Sequence, residues 1–187
     1  MEIFEKETLV SAENVIAQDK TFPKAKSASI SIAQFVVLLS VAIFAPALDI
    51  QSITGTLVNA TLFVATALLG LQTAILIGII PSVVSIVTGL LPVAILPMVP
   101  FIVFSNAVLI IIFSMFQKKS FVKGVVIASV LKFAFLSVVS SFVIHFFVSE
   151  KIASKIALMM SWPQLFTALS GGILAYFVLG AIKKIEK

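Results

Sequence analysis

Lys132 is the charged residue that lies deepest within an apolar segment of this sequence. It is about twelve residues, or about 18 Å of helix, from the polar turn that precedes the segment, so its ammonium group does not easily snorkel to an interface. A lysine at this depth costs about 2.5–3.5 kcal/mol to insert, and a partner is therefore expected. An acid, a broken helix, or a ligand with a carboxylate, a phosphate or an electron-rich heteroatom would each provide one, and these alternatives stay open.

Other polar residues also lie in or beside apolar segments. Asn59 and Asn106 fall inside such segments, where an amide either hydrogen-bonds to a neighbouring helix, at about 0.6 kcal/mol per bond, or contacts a bound molecule. Asp49 ends the first segment, where its carboxylate is solvated, caps the next helix or contacts a ligand. His145 is near the end of its segment, and an interfacial position explains it.

The stretch MMSWPQLFTALSGG places the only tryptophan, Trp162, beside Pro163 and Gln164 as the last apolar segment begins. Proline is favoured at the first position of a helix. The tryptophan either anchors the chain at a membrane interface or forms the aromatic wall of a ligand site, with the Gln164 amide directed inward. The candidate substrate-binding residues are Asp49, Asn59, Asn106, Lys132, Trp162 and Gln164.

The sequence lacks the residues that several classes of chemistry require. It has no cysteine, which excludes disulfides and thiolate metal sites, and its single histidine has no cluster of further ligands, so no metal site is expected. Glycine-rich phosphate loops, nucleophile elbows and paired carboxylates within a segment are also missing. We therefore expect no enzymatic activity, no cofactor and no ATP hydrolysis by this chain itself.

The elements that position these residues are membrane helices. Hydrophobic residues make up 60% of the 187 positions and charged residues 11%, the mean hydropathy is +1.22, and soluble domains contain only about 45–50% apolar residues. Lysines flank the apolar segments without forming a basic face, so nucleic acid is not expected as a partner. The expected surroundings of the chain are the lipid bilayer. The composition predicts an all-α integral membrane protein.

Six transmembrane helices are predicted, at about 20 apolar residues per span. The third is bent at Pro81, and GLLPVAILPMVP reads as an irregular or re-entrant connection because its three prolines cannot continue a regular helix. SEKIASK reads as a polar linker before the sixth span. The predicted spans are about 29–48, 54–70, 71–91, 101–116, 121–148 and 163–182.

The positions of the lysines predict the orientation of these spans. Clusters precede the first span, follow the fourth and end the chain, and six alternating spans put all three on one side. By the positive-inside rule both termini are then cytoplasmic, in a multi-pass protein of the plasma membrane. Residues 1–26 form a cytoplasmic segment, as a short amphipathic helix or a tail, ahead of a membrane domain over 27–187.

Small residues recur every four positions at the start of the first span, at Ala25, Ser29 and Ala33. Such a strip lets another backbone approach closely, either within the protein or from a partner. Ala168 with Gly172, and Gly171 with Ala175, repeat the pattern in the sixth span.

Four stretches together resemble a known family: ITGTLVNA, IGIIPSVVSIVTGLLP, PMVPFIVFSNA and MMSWPQLFTALSGG. In order and spacing they are similar to the substrate-binding S-components of energy-coupling factor (ECF) transporters, over about residues 30–180. The Ala-x-x-x-Ala of that family's first helix appears here with serine at position 29. The resemblance does not extend to residues 1–26.

The resemblance implies a six-helix subunit that binds a vitamin, a related micronutrient or a metal ion from outside. It would deliver the ligand by toppling in the membrane when it docks, through the strip of Ala25, Ser29 and Ala33, on a transmembrane coupling subunit powered by a pair of cytoplasmic ATPases. The loop before the sixth helix would then roof the pocket, with Trp162 on the ligand. The alternatives from other classes are a self-sufficient transporter or channel and a membrane-embedded enzyme.

Overall fold

Helices account for nearly all of the chain that can be described. The computed structural model describes residues 28–48, 50–89, 93–147 and 150–185, and these contain α-helices and two 3-10 segments, without a β-strand. The α-helices are α1 (Ala28–Phe44), α2 (Gln51–Leu69), α3 (Leu71–Val87), α4 (Val99–Phe116), α5 (Phe121–Phe147), α6 (Glu150–Met159) and α7 (Trp162–Ile185). The 3-10 segments are Ala45–Leu48 and Val93–Met98. The predicted all-α class is confirmed.

Within the described residues, five helical segments are long and apolar enough to cross a membrane. They are Ala28–Leu48, Gln51–Leu69, Leu96–Phe116, Phe121–His145 and Ile156–Lys184. Their number and length indicate a multi-pass membrane protein, as the composition predicts. Helix α3, which corresponds to the predicted third span, is apolar but has only 17 residues.

Two glycines end helices where the chain turns sharply. Gly70 has φ +84° and separates α2 from α3, and Gly89 has φ +70° just beyond α3. Residues other than glycine rarely adopt this left-handed region of φ, which glycine enters without a steric penalty. The predicted irregular connection is confirmed where it is described, because Val93–Met98 is a 3-10 segment that contains Pro97.

The prediction of a polar linker at SEKIASK was wrong, because Glu150–Met159 forms helix α6. Ile156 and Met160, four residues apart, are both buried, while Ser154 and Leu158 are exposed. This is the one-sided burial of an amphipathic helix that lies against the bundle. The predicted linker ended at Lys155 and therefore left out Ile156, Met159 and Met160, which continue the helical spacing that Ile152 begins.

Helices α2 to α7 belong to one compact unit that begins at Ala33. Its most extensive helix pair is α2 with α7, and glycine makes this pairing possible. A Cβ atom added to Gly171 would lie 2.7 Å from Cβ of Asn59 and 2.8 Å from the backbone nitrogen of Ala60. The small residues of α7 thus serve contacts within the chain, and Gly172 packs likewise on Val125 of α5.

A buried polar cluster as the candidate functional site

A layer of polar side chains separates two apolar clusters inside the bundle. The larger, which we call the major apolar cluster, includes Leu62, Phe63, Leu109, Phe113, Val125, Ala128 and Ala168. The minor apolar cluster consists of Met98, Leu136, Val143, Ile156 and Met160 with the residues packed on them. Along α4 and α5 the two clusters occupy successive turns, and Asn106 and Lys132 lie between them.

The Lys132 side chain is the centre of this polar layer. Its Nζ atom donates hydrogen bonds to Oδ1 of Asn59 at 2.6 Å and to Oδ1 of Asn106 at 2.7 Å. All three side chains are buried, with at most 4% of their surface exposed. The distances are those of strong, charge-assisted hydrogen bonds. Three helices, α2, α4 and α5, therefore meet at one ammonium group.

Lysine chemistry determines how the two amides are oriented. An ammonium group has three donors and no acceptor, so each asparagine must present its oxygen to Lys132 and direct its NH2 group away. The Asn59 amide nitrogen then lies 3.5 Å from Oγ1 of Thr167 on α7, and that of Asn106 lies 3.5 Å from the carbonyl oxygen of Gly78 on α3. At this length both are weak bonds. The cluster thus reaches five helices, two of them weakly.

Helices α3 and α7 contribute the carbonyl oxygen of Gly78 and the hydroxyl group of Thr167 to the cluster, each next to a local backbone feature. Pro81 is inside α3 and has no N–H to donate, so the carbonyl of Ile77, one turn earlier, lacks its usual helical partner. The next carbonyl, that of Gly78, accepts from Asn106. On α7 the close approach of Gly171 to α2 holds Asn59 and Thr167 within reach of each other.

The lysine is surrounded by neutral side chains. The sequence has no Asp or Glu between positions 50 and 149 or between 151 and 185, and it has no arginine at all. Helices α2 to α5 and α7 therefore carry no carboxylate that could pair with Lys132. Ser129, three residues before it on α5, is fully buried, and its Oγ has no hydrogen-bond partner among the described residues. The cluster has a buried cation and one spare hydroxyl group.

Of the six candidate residues, Asn59, Asn106 and Lys132 are brought together by the fold. Trp162 lies at the start of α7, 62% exposed, and stacks on Phe133 with ring centroids 5.3 Å apart and an interplanar angle of 27°. Phe133 follows Lys132 in the sequence but projects from another face of α5, so this ring pair lies beside the polar cluster and not within it. Asp49 lies outside the described residues, and its assignment stays a prediction.

The Gln164 amide does not point into the polar cluster. Its Nε2 atom donates to the carbonyl oxygen of Met159 at 3.0 Å, and Nε2 of Gln51 donates to the same oxygen at 3.0 Å. The two glutamines thereby join the first turns of α2 and α7 to the end of α6. Helix α7 begins at Trp162, so Pro163 is its second residue, in the first turn where a missing N–H costs nothing.

Two members of the cluster were missed by sequence reasoning, Thr167 and Gly78. Thr167 is four residues before Gly171, on the face of α7 that had been assigned to close packing, and threonine in an apolar segment gives no polar signal of its own. Gly78 contributes only its backbone carbonyl. The nearby Pro81 was the available signal, because a proline inside a helix disturbs the carbonyls of the preceding turn.

The predicted docking strip lies on helix α1. Ser29 and Ala33 are both exposed, as are most side chains of that helix. Ala25 lies outside the described residues. Comparison of the chain with models of known protein families, with curated proteins and with solved structures gives no match.

Proposed function

We propose that this chain is the substrate-binding subunit, or S-component, of an ECF-type importer for a vitamin or a related micronutrient. The observation that supports this function best is the buried cluster of Lys132, Asn59 and Asn106. Buried ionisable residues in membrane helices are costly and mark ligand or ion sites unless a partner charge neutralises them. Neutral amides hold this lysine, and helices α2 to α5 and α7 carry no acid.

The proposal includes six spans, with α3 as the short third span, and both termini in the cytoplasm of a plasma-membrane protein. Three lysine clusters support this orientation: the one before α1, the one at the α4–α5 turn and the one at the end of α7. In this arrangement the starts of α2 and α7 and all of α6 are on the outer side. Ligand would therefore approach the cluster from the side of the minor apolar cluster.

The chain has no ATPase motif, so uphill transport needs a partner. In the proposed assembly that partner is a transmembrane coupling subunit with a pair of ATPases. The exposed positions Ser29 and Ala33 on α1 offer a smooth surface for a helix of the coupling subunit.

Two measurements on tagged protein test this function. A binding subunit co-purifies with a coupling subunit and two ATPases and, alone in liposomes, moves no solute; mass spectrometry then identifies the small molecule that it retains. Solute flux by the chain alone would support a self-sufficient transporter instead. Turnover of a candidate substrate without flux would support an enzyme.

A matched pair of variants tests the docking surface. Ala33→Leu should weaken assembly with the coupling subunit and leave the retained molecule bound, because in the proposed orientation the strip is on the cytoplasmic side and the pocket is not. Ala28→Leu adds the same side chain five residues earlier, on another face of α1. If both variants co-purify with the coupling subunit and support uptake equally well, the strip is not the docking surface.

A further inference from the structure

We propose that the polar cluster binds the carboxylate-type head group of a small organic monoanion that carries no cationic group of its own. This inference rests on the proposed function and specifies the class of molecule that the site accepts. The ligand's negative charge would lie against the Nζ atom of Lys132, and its apolar body would lie on the minor apolar cluster.

Charge balance selects a monoanion. Lys132 is the only charged residue buried in the described part of the bundle, and arginine is absent from the sequence. One carboxylate neutralises one ammonium group. A phosphate monoester carries about 1.5 to 2 negative charges at neutral pH, which would leave excess negative charge buried.

The same balance excludes a ligand with an ammonium group. Such a group would need a carboxylate from the protein, and helices α2 to α5 and α7 contain none. The nearest acids along the chain to Asn59 and Lys132 are Asp49 and Glu150, ten and eighteen positions away. Amino acids and organic cations would each bring a second positive charge beside Lys132, where like charges repel.

Hydrogen bonding at the cluster fits an incoming anion. The two amide oxygens use two of the three Lys132 donors, so one donor is left for a ligand atom. Both amide oxygens stay on the ammonium group, which they solvate but do not neutralise, and an anion at the third donor would supply the missing negative charge.

Ser129 supplies a further donor in the same place. Its hydroxyl group is fully buried and has no partner in the described part of the chain. Residues three apart on a helix are neighbours, so it lies beside Lys132 on α5. A buried hydroxyl without a partner destabilises the protein, and an anion at the cluster would satisfy it.

The minor apolar cluster indicates that the other end of the ligand is apolar. Leu136 lies one turn beyond Lys132 on α5, and it packs with Met98 and Met160. Methionine side chains are flexible and adapt to guests of different shapes. This adaptable apolar surface is where the apolar body of the ligand would lie, next to its charged head group.

The test uses four probes with one ring and different head groups: cyclohexanecarboxylate, cyclohexanecarboxamide, cyclohexylmethylammonium and cyclohexyl phosphate. None of them absorbs near 280 nm, so Trp162 emission and thermal stability both report binding to the purified protein, at constant ionic strength. Cyclohexanecarboxylate should bind at least tenfold more tightly than each of the other three. Equal or tighter binding of any other probe, or no binding of the carboxylate at millimolar concentration, would overturn the inference.

An internal carboxylate should imitate the ligand. Asn106→Asp is isosteric and places an acid at hydrogen-bond distance from Lys132, so binding of cyclohexanecarboxylate should fall at least tenfold while the melting temperature is kept or raised. Ser120→Asp, at the α4–α5 turn, adds the same charge away from the cluster and should bind the probe like wild type. Asn59→Asp repeats the test from α2 if the first variant is poorly produced.

The result separates this inference from the proposed function. If the protein assembles with a coupling subunit but retains a neutral or cationic molecule, the function stands and the monoanion assignment falls. If it binds cyclohexanecarboxylate as expected but transports solute alone, the site stands and the S-component assignment falls. Unchanged carboxylate binding in both Asp variants would place the head group elsewhere and overturn the role of Lys132.

Discussion

The Nζ atom of Lys132 and the Oδ1 atom of Asn59 are 2.6 Å apart, although 73 positions separate the two residues in the sequence. The bond joins α5 to α2 inside the bundle, where both side chains are buried. An amide oxygen solvates the ammonium group but does not neutralise it, so the site keeps a net positive charge whenever the lysine is protonated. This distinguishes the cluster from a structural ion pair and leads to the first prediction.

Lys132→Met should weaken binding of the retained molecule at least about tenfold, equivalent to about 1.4 kcal/mol. Methionine keeps the length of the side chain and removes its charge. Two hydrogen bonds are lost, but so is the cost of burying an ammonium group, which is several kcal/mol, so insertion and melting temperature should be kept. Calorimetry measures the affinity. Binding like wild type would make Lys132 a structural charge.

Gly171→Ala should destabilise the protein because α2 and α7 are in contact at this position. The added methyl group would lie 2.7–2.9 Å from Asn59, from the nitrogen of Ala60 and from the carbonyl oxygen of Thr56, and two of these contacts are to backbone atoms that cannot rotate away. Overpacking of this kind costs about 1–3 kcal/mol. Since Asn59 must shift as well, ligand binding should also weaken.

Gly180→Ala is the matched control on the same helix, because a Cβ atom there would meet nothing within 4 Å. Alanine is the better helix former, so this variant should be neutral or up to about 1 kcal/mol more stable. Thermal unfolding in one detergent ranks both variants against wild type. If the two variants unfold at the same temperature, the close contact at Gly171 does not hold the helices together.

Trp162 and Phe133 should be energetically coupled, since their rings stack between α7 and α5. In a double-mutant cycle with Trp162→Ala and Phe133→Ala, a coupling of about 0.5–1.5 kcal/mol in stability is expected. Strictly additive losses would mean that the stacked pair contributes nothing.

Trp162 should also report on the site. It is the only tryptophan, so any ligand-induced change in tryptophan emission arises from it and disappears in Trp162→Phe. That variant keeps a ring to stack on Phe133 and should bind nearly normally, whereas Trp162→Ala should bind more weakly. Normal binding by Trp162→Ala would leave the residue with an anchoring role at the interface.

Single cysteines should reveal the orientation, because the chain contains none of its own. Ser52 and Ser154 are exposed near the end of the bundle where Gln51 contacts the carbonyl of Met159, and Ser120 lies in the α4–α5 turn. Cysteines at Ser52 and Ser154 should react with an impermeant thiol reagent in intact cells, and one at Ser120 should react only after lysis. The opposite pattern would overturn both the proposed topology and the proposed direction of transport.

The amino-acid sequence by itself determined the all-α class, the apolar segments and the identity of the polar residues that need partners. Hydropathy and helical length are local properties, and a lysine or an amide in an apolar segment is conspicuous without any coordinates. The same reasoning missed α6, because the predicted linker ended at Lys155, before most of the helix's apolar residues. It also directed the Gln164 amide inward, whereas that group caps the carbonyl of Met159.

Only the tertiary structure decided which polar residues meet. Lys132 finds Asn59 and Asn106 because α2, α4 and α5 meet around its amino group. Helix α7 approaches α2 closely at Gly171, next to Asn59. Thr167 and the carbonyl of Gly78 join the cluster through helix packing, which no periodicity along one segment encodes. Hydropathy indicates which segments are buried. A hydrogen bond between helices also depends on which residues face each other and at what orientation, and these are set only when the helices pack.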